Sequence, residues 1–210
     1  MSLFNQLDDL KFDVLREVGN IGAGHAATAL SKLLDKPVDM KVPQVRIVEF
    51  EEIPESVGGA EEVVIAVFLR VIGDAPGNLF FLLSRDSALS LLSKMVGLEH
   101  IPSDEDWFDL NEIQISAIQE IGNILAGSYL SSLADFTQLD MSPTVPSMTI
   151  DMAGAILSYG IMQFGAMGEH AVLIDTSFYD GTDRVEGHFF LIPDPESFEK
   201  IFSALGVPHE

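Results

Sequence analysis

The feature that most constrains the fold is an internal repeat that spans most of the chain. Residues 17–24 (EVGNIGAG) recur at 120–127 (EIGNILAG), which is 103 positions later. At that offset, without gaps, residues 13–43 and 116–146 are identical at 9 of 31 positions. Repeats of this kind indicate one supersecondary unit used twice. A chain of 210 residues therefore has room for one domain built from two related halves.

Both copies predict the same order of elements, which is a helix, then strands, then a short helix. In the first copy the predicted helices are 8–34 and 86–97, and the strands are 38–50, 63–69 and 79–83. In the second copy the helices are 109–134 and 196–205, and the strands lie near 144–150, 171–178 and 188–193.

One segment of the second copy, 151–166, is also predicted to be helical. We expect no counterpart in the first copy, where 51–59 contains a proline and two glycines. The predicted fold class is α+β, with two pseudo-symmetric halves that share an antiparallel-rich sheet and pack their helices against it. The predicted division is a first repeat at 1–101, an acidic linker at 102–108 and a second repeat at 109–210.

Charge and composition exclude several classes of function. There are 33 Asp and Glu against 11 Lys and Arg, a net charge of −22, which disfavours binding to nucleic acid and to anionic membranes. The absence of Cys excludes thiol catalysis and cysteine-based zinc sites, and the five His show no metal-ligand spacing. No signal peptide or membrane span is evident. We therefore expect a cytoplasmic monomer that is not inserted in a membrane and binds no metal or cofactor of its own.

A polar stripe recurs on the first helix of each copy. Asp13, Glu17 and Asn20 lie at positions i, i+4 and i+7, and Ser116, Glu120 and Asn123 repeat that spacing. The apolar stripes beside them are predicted to face the core; they comprise Val14, Val18 and Ile21 in the first copy and Ala117, Ile121 and Ile124 in the second. The polar stripes should then face solvent or a partner.

Glycine is unusually frequent on these helices, although each glycine weakens a helix by about 0.8–1.0 kcal/mol relative to alanine. The glycines concerned are Gly19, Gly22, Gly24, Gly122 and Gly127. Close packing against another helix or strand is the simplest explanation for them. Packing does not explain why an exposed carboxamide also recurs at the same place.

The chemistry open to this stripe is limited. A carboxamide both donates and accepts hydrogen bonds, so it can hold a water molecule in line for attack, and a Glu can act as a base or pair with a cation. The sequence contains no G-x-S-x-G nucleophile elbow. Glycoside hydrolysis needs two carboxyl groups, and the stripe of the second copy offers one Glu. The stripe therefore predicts an incomplete active site that acts on chemistry held by another molecule.

These residues resemble the motif of the CheC family of chemotaxis phosphatases. The motif is Asp or Ser, three residues, Glu, two residues, Asn, twenty-two residues and Pro, and both copies fit it in full, ending at Pro43 and Pro146. The resemblance implies a hydrolase that dephosphorylates the phospho-aspartate of the response regulator CheY. It implies that Asn20 and Asn123 orient the attacking water and that Glu17 and Glu120 contact a regulator Lys. It also implies that the regulator supplies the bound Mg²⁺.

The resemblance further implies binding of CheD, a receptor-modifying deamidase, through a surface outside the motifs. We expect that surface at or beside segment 151–162 of the predicted helix, where Asp151 would cap the helix or complement its dipole. Met152, Ile156 and Tyr159 would contribute an apolar strip. A buried helix that fills the second half is the alternative explanation of this segment. For the chain as a whole, the alternative is a non-enzymatic adaptor that docks a response regulator and CheD.

Overall fold

The structure, a computed structural model, describes residues 9–97, 110–164, 170–180 and 183–205. In chain order the elements are α1 (Asp9–Leu34), β1 (Asp39–Glu49), a 3₁₀ helix (Phe50–Val57), β2 (Val63–Gly73), β3 (Gly77–Ser84), α2 (Arg85–Ser90) with a π-helical turn (Leu91–Met95), α3 (Glu112–Thr137), β4 (Met141–Pro143), β5 (Ser147–Met152), α4 (Ala153–Phe164), β6 (His170–Asp180), β7 (Asp183–Pro193) and α5 (Pro195–Ala204). The predicted α+β class is confirmed, and the predicted elements occur in the predicted order, although a 3₁₀ helix follows β1 and the strand predicted near 144–150 is divided into β4 and β5.

The strands form one sheet in which the two halves exchange strands. The order is β1-β6-β7-β3-β2, and β4 and β5 both pair with the outer side of β2. All six pairings between described strands are antiparallel. The strand that follows the first helix of each half therefore pairs with the hairpin of the other half. The sheet forms only when both halves contribute strands to it. The predicted division at 102–108 stays a prediction, because that linker lies outside the described residues.

Both faces of the sheet are covered, because apolar residues occur on alternate and on successive positions of the central strands. On β2, Ile65 and Val67 face α1 and α3, while Val64 and Ala66 face the opposite side. The face covered by α1 and α3 holds the larger core, which includes Phe81, Phe178 and Phe189. The opposite face holds a smaller core against the 3₁₀ helix and α4.

The second motif helix begins three residues later than predicted, at Glu112 rather than 109. Asn111 caps it: the Asn111 side chain accepts from the backbone N–H groups of Ile113 and Gln114, and the Gln114 side chain accepts from the Asn111 N–H. This capping box satisfies N–H groups that have no partner inside the helix. The pattern N-x-x-Q was present in the sequence and would have located the boundary.

The expectation that α4 has no counterpart in the first half is wrong. The 3₁₀ helix follows β1 as α4 follows β5, and Ile53 and Val57 of the 3₁₀ helix are buried in the same small core as Ile156 and Leu157 of α4. Pro54 lies inside the 3₁₀ helix and Gly58 ends it with a φ of 108°. The proline and glycines thus shorten the element without abolishing it.

No helix in the described parts of the chain is long and apolar enough to cross a membrane.

Candidate functional site

The first motif lies on the exposed side of α1, and we call it site 1 (Asp13, Glu17, Asn20 and Pro43). Asp13 and Glu17 are exposed, and Asn20 is half-buried. Asp13 pairs with Arg16, which lies one turn further along the helix, at 2.8 Å. The predicted polar face of this helix is confirmed.

The amide of Asn20 is held at both ends by backbone groups. Its Nδ2 donates to the carbonyl of Arg16 at 3.0 Å, and its Oδ1 accepts from the N–H of Val42 at 3.1 Å. An amide bonded in this way has one orientation, while one hydrogen on Nδ2 and one lone pair on Oδ1 stay available. Asn20 is therefore both a link between α1 and β1 and a fixed polar group at the surface.

A bulge in β1 explains why the N–H of Val42 can donate to Asn20 rather than to the neighbouring strand. The register of β1 against β6 shifts between Lys41 and Gln44, so that Val42 and Pro43 together oppose Thr176. A bulge leaves a residue unpaired in the ladder, and proline, which has no N–H, is tolerated there. The twenty-two residues between Asn and Pro in the motif thus join a helix to the bulged strand beneath it. The sequence interpretation missed this link.

Thr176, which lies opposite the bulge, is fixed from the other half of the molecule. Its Oγ1 is 2.9 Å from the hydroxyl of Tyr129 on α3, and burial raises the pKa of Tyr129 to about 12 against a smaller opposing effect of the Thr176 bond. Gly22 of α1 packs on the same residue, because a Cβ at Gly22 would lie 2.7 Å from Tyr129 Cδ1. The second motif helix therefore supports the geometry of the first site.

The second motif, which we call site 2 (Ser116, Glu120, Asn123 and Pro146), lies on α3 and differs in geometry. Ser116 and Glu120 are exposed and Asn123 is half-buried, as in site 1. Within the described parts of the chain, however, the Asn123 side chain has no hydrogen-bond partner. Among those residues, no hydrogen bond fixes the orientation of its amide, whereas two backbone bonds fix that of Asn20.

The strand beside site 2 is interrupted where β1 is only bulged. Pro146 lies in the gap between β4 and β5, and Val145, the repeat counterpart of the buried Val42, is 86% exposed. Thr144 bridges the gap: its N–H donates to the Arg70 carbonyl, and its Oγ1 accepts from the Arg70 N–H. These bonds attach the segment to β2 and leave Val145 facing outward.

The glycines of the two helices fall into two groups. A Cβ at Gly19 would lie 3.3 Å from a methyl of Val42, and one at Gly122 would lie 2.7 Å from a methyl of Val67, whereas Gly24 and Gly127 have open space around them. The close-packing interpretation is thus confirmed for Gly19, Gly22 and Gly122 and is wrong for Gly24 and Gly127.

The predicted core stripe of α1 is wrong at one position. Ile21 is 43% exposed, whereas Val18 is buried. The buried stripe is rotated toward Gly22 and Ala23, because these small residues let α1 approach Tyr129 on α3. On α3, Ile121 is buried as expected, while Ala117 and Ile124 are half-buried.

The expected cap of α4 is also wrong. Asp151 and Met152 belong to β5, and α4 begins at Ala153. The Asp151 Oδ1 accepts from the N–H of Met152 at 2.8 Å. Met152 is 44% exposed, whereas Ile156 is 5% exposed and packs in the small core. Of these three residues, only Asp151 and Met152 are at the surface.

Among the described residues, no group of three or more His, Asp or Glu side chains is placed to hold a metal ion. What the two stripes offer is an exposed carboxylate and an amide, one turn apart, on each of two helices.

The pattern of a protein family, two relatives of known name and a solved structure show what this chain is similar to. The pattern of the CheC-like family matches residues 12–47 and 113–150, which contain the two motifs. The CheY-P phosphatase CheC of Bacillus subtilis is 44% identical over 211 residues, covering 99% of each chain. The flagellar motor switch phosphatase FliY of the same organism is 27% identical over 203 residues, which are 97% of this chain and 44% of that protein. The crystal structure of FliY from Thermotoga maritima superposes with a TM-score of 0.72 at 19% identity, covering 96% of this chain and 98% of that one, and so shares the fold.

The repeated motif, the shared sheet and an identity of 44% over nearly the full length lead to one assignment, which is that this chain belongs to the CheC-like family.

Proposed function

We propose that this protein hydrolyses the phosphorylated aspartate of the chemotaxis response regulator CheY. The support is its 44% identity, over 99% of its length, to a protein named as a CheY-P phosphatase. The observation that carries the chemical proposal is the amide of Asn20, which two backbone bonds fix on an exposed helix face beside Glu17.

In the proposed reaction the amide positions the nucleophile. The free lone pair of Asn20 Oδ1 accepts a hydrogen bond from water, and the free hydrogen of Nδ2 approaches the phosphoryl oxygens. Phosphoryl transfer needs positioning and neutralisation of charge more than covalent chemistry from the protein. The regulator, on this proposal, holds the Mg²⁺ that neutralises the phosphoryl group. A preorganised donor of this kind contributes about 3–4 kcal/mol to barrier lowering in other enzymes.

The exposed carboxylates of Glu17 and Glu120 bind the regulator in this proposal. Each lies one turn before its Asn, so a cation of the regulator that pairs with the Glu would bring the phosphoryl group to the amide. Exposed pairs of this kind are weak and are screened by salt. Their role is to place the regulator rather than to hold it tightly.

The test is the decay of phosphorylated CheY in the presence of Mg²⁺, with and without this protein. The variant Asn20→Ala with Asn123→Ala should lose about 100-fold or more of the acceleration, the effect of removing a preorganised donor. Thr28→Ala with Ser131→Ala is the matched control, because these exposed repeat partners lie on the same two helices. A folded double Asn variant that keeps the control's activity would contradict the assignment.

One observation favours the adaptor alternative at site 1. The bonds from Asn20 to Arg16 and Val42 give this amide a structural use that requires no catalysis. Asn123 has no such bond within the described residues, so the same argument does not apply to site 2. An adaptor would bind the regulator without accelerating the loss of its phosphoryl group, and the same decay assay separates the two functions.

We also propose that CheD binds at the end of β5, through Asp151 and Met152. Both are exposed, and Asp151 lies on the strand at the edge of the sheet. Asp151→Arg should weaken CheD binding, measured by calorimetry, and leave CheY dephosphorylation unchanged. Asp39→Arg is the control, because Asp39 is exposed on β1 at the opposite edge. Equal affinities for CheD in the two variants would place the contact elsewhere.

A further inference from the structure

A polar groove opens beside site 1, between α1 and the strands β1, β6 and β7. Its volume is about 570 Å³, and its lining includes Arg16 and Pro43. Arg46, Arg184 and the pair formed by Asp175 and His188 line the remainder. We call this the arginine groove.

The arginine groove does not share the strong negative charge of the chain. Over the whole sequence, acidic residues outnumber basic ones by 33 to 11. Three of the chain's five arginines line the groove together with the carboxylates of Asp175 and Glu186, and the carboxylate of Asp13 pairs with Arg16 at its edge. A surface where most of the arginines of so acidic a chain lie together is suited to an acidic ligand.

Two of these arginines form hydrogen bonds or ion pairs within the protein and still keep part of their side chains exposed. Arg184 donates from Nε and a terminal nitrogen to the buried Ser177 hydroxyl at 3.3 and 3.1 Å, and it pairs with the exposed Glu186 at 2.7 Å. Arg46 lies 3.5 Å from Asp175 Oδ2, while the other oxygen of Asp175 is 2.9 Å from His188 Nδ1. The side chains of Arg184 and Arg46 are about half exposed, at 50% and 44%.

Such exposed pairs are weak in water, so an incoming carboxylate can replace the internal partner. Arginine offers a planar fork of donors that binds carboxylates through two parallel hydrogen bonds. The groove therefore holds oriented guanidinium groups that a partner can reach.

The groove adjoins the amide of site 1. The Arg16 carbonyl accepts from Asn20, and Pro43 follows Val42, whose N–H donates to the same side chain. At the repeat offset, the counterparts of Arg16 and Arg46 are the neutral residues Gln119 and Thr149. Site 2 thus lacks these two charges.

We propose that the arginine groove receives an acidic segment of the regulator that adjoins its phosphorylated aspartate, when that aspartate is presented to site 1. This inference rests on the function proposed above. A protein that binds Mg²⁺ beside a phosphoryl group does so with carboxylates, so acidic side chains are expected around the group that enters site 1. Binding at site 1 should then depend on salt more steeply than binding at site 2, where only the pair of Glu120 with the regulator is screened.

The experiment isolates each site. The background Asn123→Ala leaves site 1 active, and the background Asn20→Ala leaves site 2 active. In each background, Arg46→Gln and Arg184→Gln are compared with Lys32→Gln, a change of equal charge near the far end of α1. The rate of loss of the phosphoryl group is measured against regulator concentration at low and high salt.

In the site 1 background, either Arg variant should raise the half-saturating regulator concentration about three- to tenfold and leave the maximal rate within about twofold. The salt dependence should become flatter. In the site 2 background, and with Lys32→Gln in either background, changes should stay within about twofold. Arg184→Lys should recover part of the loss, because the charge returns without the fork.

Two failures are distinguishable. Arg variants that match Lys32→Gln in the site 1 background would overturn the groove as a docking site and leave the phosphatase proposal standing. A wild-type protein that fails to accelerate decay would overturn both. Circular dichroism and urea unfolding identify a misfolded variant. If Arg184→Gln misfolds, Arg184→Lys is tested in its place. Binding of the regulator that is weaker than wild type at low salt and equal at high salt supports the role of the guanidinium fork, whereas binding equal to wild type at both salt concentrations contradicts it.

Discussion

The two sites carry the same motif on helices of the same length, yet they differ in what surrounds the amide. In site 1 the Asn is bonded to a continuous, bulged strand, and the valine before the motif proline is 3% exposed. In site 2 the strand is broken, and the corresponding valine is 86% exposed. Identical motif residues therefore do not give identical sites, because the strand beneath each helix is held by a different neighbour.

That neighbour is β6 for site 1 and β2 for site 2. The bulge in β1 forms against β6, opposite Thr176, whereas Thr144 bonds to both polar backbone groups of Arg70 in β2. Four pairs of substitutions at equivalent positions test whether this contrast has the energetic consequences that the contacts imply. All are measured as the free energy of unfolding in urea.

The largest loss of stability is expected for the glycines that contact strands. Gly122→Val should destabilise the protein by about 3 kcal/mol, because its side chain would overlap Val67 in the middle of a buried strand. Gly19→Val should cost about 1–2 kcal/mol, since a Cβ there lies 3.3 Å from Val42 and the neighbour can shift by a few tenths of an ångström. Equal losses at the two positions would contradict the different packing of α1 and α3.

The next largest loss of stability is expected for one of the two motif valines. Val42→Ala should cost about 2 kcal/mol, because a buried side chain loses its transfer energy and leaves a cavity. Val145→Ala should change the stability by less than about 0.5 kcal/mol, as is usual for an exposed position. A large cost at Val145 would mean that the segment 144–146 is buried in solution.

Substitution of the two asparagines should distinguish an effect on stability from an effect on phosphatase activity. Asn20→Ala should destabilise the protein by about 1–2 kcal/mol, because the Val42 N–H loses its acceptor. Asn123→Ala should change the stability by less than about 0.5 kcal/mol. If both reduce phosphatase activity but only Asn20→Ala lowers the stability, the first amide has two roles and the second has one. Equal unfolding energies would show that the bond to Val42 contributes nothing in solution.

The smallest effect should be the same in both halves. Gly24→Ala and Gly127→Ala should each stabilise the protein by about 0.5–1 kcal/mol, because both positions are helical and open and alanine restricts the unfolded chain more than glycine does. A stabilising effect in one half only would show that the two helices differ in more than the strands they contact.

Much of this molecule is determined by local sequence. The periodicity of residues 9–34, the buried strands and the repeated Asp/Ser-Glu-Asn spacing were enough to predict the α+β class, the order of the elements and the exposed polar faces. These features depend on residues within one or two turns of a helix or one strand, so a single sequence contains them.

The pairing of the strands and the surroundings of each amide were decided only by the tertiary structure. Whether Val42 is buried or Val145 exposed depends on β6 and β2, which belong to the opposite half of the chain in each case. The same holds for the glycines, since a Cβ at Gly22 would overlap Tyr129 on α3 while a Cβ at Gly24 would meet no other atom within 4 Å. Strand exchange brings together residues that are far apart in sequence, and the free energy of those contacts exceeds any local preference that the repeat carries. The repeat made the two sites alike in composition, and the exchange of strands made them different in structure.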